Sequence, residues 1–283
     1  MSILINRSVF SDNAVLEDVS VRLNDFKGDS FNMPFVAAED FLYIGSDMPF
    51  NHRWFEIQSP NDQTASLEIS VWEGDTWAPA NDVIDQTSLG GVALAQSGHI
   101  LFRPDEDEGW SREDTNQDSD QITGLTDVTI YGLYWARLRW TADLASTTTI
   151  KYIGHKFSND DDVRLIFPIL LEPKVLDQFE DGKTNWDQQH FWAAEQIIRD
   201  LRRRNIVFSR NQILDMDLLS DASVFKVAEA AFRSFGKDFV QERDEARSEY
   251  NKQLDKAIKH IDQNKNAILE QYERFKRPGF MKR

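Results

Sequence analysis

At 283 residues, with 41% hydrophobic and 28% charged side chains, the chain is long enough for two ordinary domains, each with its own core. It has no cysteine, which excludes disulfides, thiolate zinc sites and cysteine nucleophiles together. The net charge of −16 is uneven, with 12 Lys plus Arg against 29 Asp plus Glu in residues 1–175 and 20 against 19 in residues 176–283, and an acidic first half repels the phosphates of nucleic acid.

Met1 to Phe10 lacks the charged and long apolar segments of a signal peptide, and no run approaches the roughly 18 to 20 apolar residues of a membrane span. A soluble chain, intracellular where it is made and without a membrane partner, is therefore expected. Val15 to Phe26 alternates well enough to predict an early strand. From Phe41 the strand signals become clear: Phe41–Ile44, Trp54–Ile57, Leu67–Trp72 and His99–Phe102 are short, rich in β-branched and aromatic residues, and separated by Gly, Pro, Asn or Asp. Strict alternation in Leu67-Glu68-Ile69-Ser70-Val71 puts one face in a core and the other in water. Glu73-Gly74-Asp75-Thr76 supplies a hairpin turn between Trp72 and Trp77. In Tyr134 to Trp140 the set Tyr134, Ala136, Leu138 and Trp140 shares one face, and Trp135, Arg137 and Arg139 share the other. Thr147 to Ile153 reads as a further strand. Many short strands without intervening helices predict an antiparallel β-sandwich.

Two acidic stretches interrupt or follow these strands. Asp105 to Asp120 holds eight carboxylates and reads as a long exposed excursion, and Asp160 to Asp162 reads as the loop that closes the sandwich. Period-2 alternation gives way to helical period between residues 160 and 180, so the domains are placed at 1–160, an acidic sandwich, and 161–283, a helical domain with a basic tail. Asp187 to Arg204 has Phe191, Ala194, Ile198 and Leu201 at helical spacing. Ser209 with Gln212 reads as a capping box opening a short helix. Asp221 precedes the apolar stripe Val224, Phe225, Ala228, Ala231, Phe232 and Phe235, with Gly236 where a helix ends or bends. From Asp238 to about Phe275 charge alternates along a long last helix, and Phe239, Ala246, Tyr250, Leu254, Ile258 and Ile261 form one thin seam. The fold class is α+β: an N-terminal antiparallel β-sandwich followed by a C-terminal α-helical bundle with a long last helix.

Catalytic chemistry finds little support in these residues. The histidines, at 52, 99, 155, 190 and 260, are scattered, with no pair at metal-ligand spacing on one element. The acidic runs could gather Ca²⁺, but neither has the alternating ligand pattern and turn glycine of an EF-hand loop, and solvated loops are the simpler reading. No nucleophile elbow, Walker loop or dinucleotide fingerprint is present, and no carboxylate pair for glycoside hydrolysis can be singled out. No enzyme activity, catalytic residue, metal or cofactor is expected. The tryptophans Trp54, Trp72, Trp77, Trp110, Trp135 and Trp140 all fall in the β half. Exposed, they would suit a sugar ring; buried, they fill the sandwich and its hairpin ends.

The succession Tyr43-Ile44-Gly45-Ser46-Asp47-x-Pro49-Phe50-Asn51, Trp54-Phe55-Glu56, Leu67-x-Ile69-x-Val71-Trp72-Glu73-Gly74-x-x-Trp77, Gly98-His99-Ile100 and Tyr134-Trp135-x-Arg137-Leu138-Arg139 resembles a β-sandwich module of bacteriophage structural proteins, over about residues 40–155. The stretch from Phe157-Ser158-Asn159-Asp160-Asp161-Asp162 through Pro168 and the helices of residues 185–260 is similar to the helical core of phage head-to-tail adaptor (connector) proteins. That resemblance implies a virion location at the neck, after synthesis in the host cytoplasm. It implies a homo-oligomeric ring of about twelve copies below the portal protein, extending the DNA channel. Further partners are a tail or nozzle protein and a fibre protein, with genomic DNA passing through unbound. Adaptors of this kind insert a C-terminal segment into the portal, which assigns portal docking to Phe275, Lys276, Arg277, Phe280, Lys282 and Arg283. Phe239, Tyr250, Leu254 and Ile258 are then expected at the interface between ring neighbours. The alternative in keeping with the tryptophans is a baseplate or tail-fibre component with a carbohydrate-binding sandwich.

Overall fold

The computed structural model describes residues 6–103, 110–112, 122–125, 132–258 and 261. The six portal-docking residues, and all of Asp105–Asp120 apart from residues 110–112, lie outside that set. The fold is α+β, and the chain divides into two compact units, residues 1–154 and 155–283.

The first unit holds eleven described strands: β1 (Asn6–Asp12), β2 (Val15–Asp18), β3 (Phe31–Asn32), β4 (Phe41–Ser46), β5 (His52–Ser59), β6 (Leu67–Trp72), β7 (Trp77–Pro79), β8 (Asn81–Asp85), β9 (Gly98–Arg103), β10 (Tyr134–Trp140) and β11 (Thr149–Gly154), with one helical turn α1 (Ser20–Leu23). They form two antiparallel sheets, ordered β2-β1-β4-β10-β6-β7 and β3-β11-β5-β9-β8. Period-2 alternation explains the core between them. Leu42, Ile44, Ile69, Val71, Ala136, Leu138 and Trp140 point inward from the first sheet, and Phe31, Phe55, Ile100, Phe102, Ile150 and Ile153 point inward from the second. The other face of β10 behaves as its alternation predicts. Trp135 joins a separate apolar cluster with Val9, Tyr43, Trp72, Ile122, Leu125 and Leu133, and the Arg137 guanidinium lies 4.8 Å from the ring centres of both Phe41 and Trp77.

Glycine matters at two turns or approaches in this unit. Gly45 pairs with Trp135 across the β4–β10 ladder, and a Cβ there would meet the indole at 2.8 Å. Gly74, at φ 109°, lets the loop after Trp72 close with the Glu73 N–H donating to Thr76 O. The Trp72–Trp77 pairing is the hairpin predicted from sequence.

The early strand is corrected. Strand pairing stops at Asp18, because Val19 and Ser20 turn into α1 and the Asp18 carboxylate accepts from the Ser20 N–H and hydroxyl. Asn6–Asp12, which the sequence reading passes over, is the strand that joins β2 to β4. Its turn uses Asn13 and Ala14, both at positive φ, and alanine is not a residue that announces such a turn.

The second unit holds α2 (Asp160–Ile166), a 3-10 turn at Pro168–Leu171, α3 (Pro173–Phe179), α4 (Asp187–Arg203), a 3-10 turn at Arg210–Gln212, α5 (Asp217–Ser234), a 3-10 turn at Gly236–Phe239 and α6 (Val240–Ala257). Asp160–Asp162, expected to close the sandwich, instead opens α2. Asn159 caps it by accepting from the Asp161 and Asp162 N–H groups, Asp162 reaches back to the Asn159 N–H, and three carboxylates face the positive end of the helix dipole. The Ser209–Gln212 capping box is present but holds only a 3-10 turn. Val163, Leu170, Leu176, Trp186, Ala193, Val224, Val227, Ala228, Ala231 and Phe232 form the core, with Trp186 Nε1 donating to Leu170 O at 2.9 Å. Among the described residues no helix is long and apolar enough to cross a membrane.

Candidate functional site

The seam of α6 faces the chain's own helices. Tyr250 and Leu254 are buried, Ala246 belongs to the helical core, and Phe239 stacks on Phe232 at 5.9 Å between ring centres, with an interplanar angle of 12°. Ile258 is half-buried. Three of the four residues expected between ring neighbours are therefore used inside the unit, because a seam this thin just suffices to seat α6 on α5. Polar contacts complete the seating. The Tyr250 hydroxyl donates to Asp200 Oδ2 of α4 at 2.8 Å, and burial together with that carboxylate raises the phenol's pKa above its ordinary value. Lys226 Nζ lies 4.3 Å from the Tyr250 ring centre and pairs with Glu229 at 2.9 Å, and Arg204 of the α4 C-cap pairs with Asp255 at 2.5 Å. What α6 offers outward is its charged face.

A second cluster was not anticipated from sequence. His190 of α4 is fully buried, with Nδ1 2.7 Å from Ser158 Oγ and Nε2 3.1 Å from Asp160 Oδ1, and Ser158 Oγ lies 2.6 Å from Ser223 Oγ of α5. Serine, histidine and aspartate in one hydrogen-bonded line have the composition of a nucleophile–base–carboxylate set. The surroundings assign a different role. Ser158, His190 and Ser223 are all buried, and the Ser158 hydroxyl is bonded to both His190 and Ser223, an arrangement that suits a structural line. His190 thus bonds Asp160 through Nε2 and Ser158 through Nδ1, and Ser158 Oγ donates to Ser223 Oγ. Burial lowers the His190 pKa, and the Asp160 contact opposes that shift. The line ties the segment entering α2 to α4 and α5. Its sequence signal was Asn159 with Asp162, a capping box in a stretch read as a domain junction.

A third feature lies beside it. Within five consecutive positions of α2 and its 3-10 turn, Leu165, Ile166, Pro168 and Ile169 are all exposed, Leu165 by 84% and Ile169 by 51%. Val163 and Leu170 carry the inward packing of this segment and Phe167 adds to it, so nothing in the unit's own core calls for aliphatic side chains at 165, 166 and 169.

The tryptophans of the β unit divide. Trp72, Trp110, Trp135 and Trp140 are buried; Trp54 and Trp77 are half-buried. Trp77 donates to Thr123 O at 3.0 Å beneath the Arg137 guanidinium, and Trp54 donates to Glu56 at 2.8 Å with the His99 ring 4.8 Å away. Among the described residues no three His, Asp or Glu side chains converge as a metal site. No family model, no curated protein and no solved structure matches the chain.

Proposed function

We propose that the chain is a virion structural protein, a head-to-tail adaptor whose helical unit stands in a ring below the portal while its acidic sandwich projects from the collar. The observation that supports this most is the partition of charge. Residues 1–154 hold 9 Lys plus Arg against 25 Asp plus Glu, a net of −16, and residues 155–283 hold 23 against 23. Copies of a strongly acidic unit repel one another and stay apart; a neutral unit with alternating surface charge can sit shoulder to shoulder. In this reading the portal lies on one side of the ring and a tail or nozzle protein on the other, with DNA passing through unbound. The carbohydrate-binding alternative is left with Trp54 and Trp77, since burial removes the other four tryptophans from any sugar face.

The test is deletion of residues 276–283, which takes away Lys276, Arg277, Phe280, Lys282 and Arg283, followed by co-sedimentation with portal rings. Loss of co-sedimentation, with helix content unchanged by circular dichroism, is the expected result. Undiminished co-sedimentation overturns the docking role of the tail.

A further inference from the structure

We infer that the arginine-rich end of α4, with the segment that returns along it, is a docking surface for an acidic segment of a partner protein. The inference goes beyond the proposed ring and takes nothing from it. Residues 199–210 hold five arginines against one aspartate in a chain whose net charge is −16, so this stretch runs against the charge of the whole. Glu195, Arg199 and Arg202 stand four and three positions apart and share one face of α4. Arg210 of the returning segment joins that face by donating to Glu195 at 2.8 Å. The face therefore carries three guanidinium groups for one carboxylate, a local net of +2. Among the described residues, Arg199 and Arg202 have no counter-charge, and Arg199 is exposed. Arg202 Nε and Nη2 are covered without an acceptor, so packing holds this guanidinium in place and leaves Nη1 to meet a ligand.

The chemistry of this face selects a few carboxylates over a polyanion. Duplex DNA presents one phosphate charge per ~1.7 Å of its axis, and a net of +2 neutralises two such charges before the rest of a −16 chain repels the strand. Where the guanidinium groups at this end of α4 are already occupied, carboxylates occupy them: Arg203 meets Asp200 at 3.5 Å, Arg204 meets Asp255 at 2.5 Å and Arg210 meets Glu195 at 2.8 Å. Phe208, 68% exposed and on the same returning segment as Arg210, adds an apolar anchor. Arginine beside an aromatic ring is the composition that protein interfaces enrich. The partner segment is thus one with carboxylates on either side of an apolar side chain.

The experiment is fluorescence anisotropy at low salt, with the full chain titrated into a labelled peptide of four glutamates around a central leucine, and into a labelled short thymidine strand as the phosphate probe. The variants are Arg199→Gln/Arg202→Gln, Arg199→Lys/Arg202→Lys, and the control Arg164→Gln/Arg247→Gln, which removes the same charge from positions 63% and 69% exposed elsewhere on the helical unit. Wild type is expected to bind the peptide more tightly than the strand. The glutamine pair should weaken peptide binding about tenfold or more, and the lysine pair, which keeps the charge but loses the fork, about threefold. The control should match wild type. Equal weakening in the control reduces the effect to net charge and overturns the site, and so does peptide binding that is absent in wild type or unchanged by the glutamine pair. Should the glutamine pair alter the circular dichroism spectrum, the lysine pair carries the test, and binding equal to wild type there overturns the inference. Tighter binding of the strand, lost in the same variants, reassigns the face to phosphates and overturns the acidic segment as its ligand.

Discussion

The two units differ sharply in charge and hardly at all in how much large apolar surface they expose. The sandwich unit carries the whole net charge and leaves Val15, Val21, Ile84 and Leu89 in solvent; the helical unit is neutral by count and leaves Leu165, Ile169 and Phe208 there. Burial and charge were therefore settled independently. Each unit keeps its tryptophan-centred core, around Trp140 in one and Trp186 in the other, whatever its surface carries.

The largest test of that contrast is the loss of one core tryptophan from each unit. Trp140→Ala should cost the sandwich about 3–5 kcal/mol, and Trp186→Ala should cost the helical unit a similar amount, since both rings are fully buried and the second also leaves Leu170 O without its donor. Urea unfolding followed at 222 nm reports the helices, and near-ultraviolet circular dichroism reports the tryptophan-rich sandwich. Equal effects of either substitution on both signals would break the comparison. Next in size is Gly45→Ala, where the new methyl collides with Trp135 and about 1–3 kcal/mol should be lost from the sandwich. A stability unchanged within error would mean that the indole is free to move.

On the helical side, Tyr250→Phe removes the bond to Asp200 while keeping the ring in place, at an expected cost of about 1–2 kcal/mol. Hydrogen exchange along α6 should accelerate, and an unchanged exchange rate would show that apolar packing alone seats the helix.

The smallest effect is the pH dependence, and it sharpens the comparison. His52 of the sandwich is held well below its ordinary value, chiefly by burial and further by His99 and Arg53, and His190 of the helical unit is lowered by burial against the pull of Asp160. For both, the unfolded chain binds a proton more readily than the folded one. Stability is therefore fully present above pH 6.5, the ordinary histidine value, and declines as pH falls below it toward the depressed folded values. The sandwich should lose more than the helical unit. Melting temperatures between pH 7.5 and 5 measure this, and His52→Gln and His190→Gln should each flatten the profile of their own unit.

Much of the fold was legible because period and punctuation carry it. Leu67–Trp72 alternates and is a strand with the predicted ends, Tyr134–Trp140 divides its faces as read, and the stripe from Phe191 to Leu201 is the buried side of α4. What was missed had no local period. β3 is two residues long, β8 presents polar residues on an edge, and α2 looks like an acidic loop because one buried residue, Val163, leaves no apolar stripe to read. The candidate sites were less legible for a different reason. A seam such as Phe239, Tyr250 and Leu254 reads the same whether it faces a sister helix or another chain, and only the position of α5 decides. Likewise Ser158, Asp160, His190 and Ser223 are spread over 66 positions and meet only once α4 and α5 have packed.

The most direct test of the proposed adaptor role is an electron cryo-microscopy reconstruction of phage particles produced with this chain, computed at the head vertex without imposed symmetry. The proposed adaptor role predicts a closed ring of copies against the portal, with helical units side by side. Copies at the distal tail, or in spikes away from the portal, would contradict it.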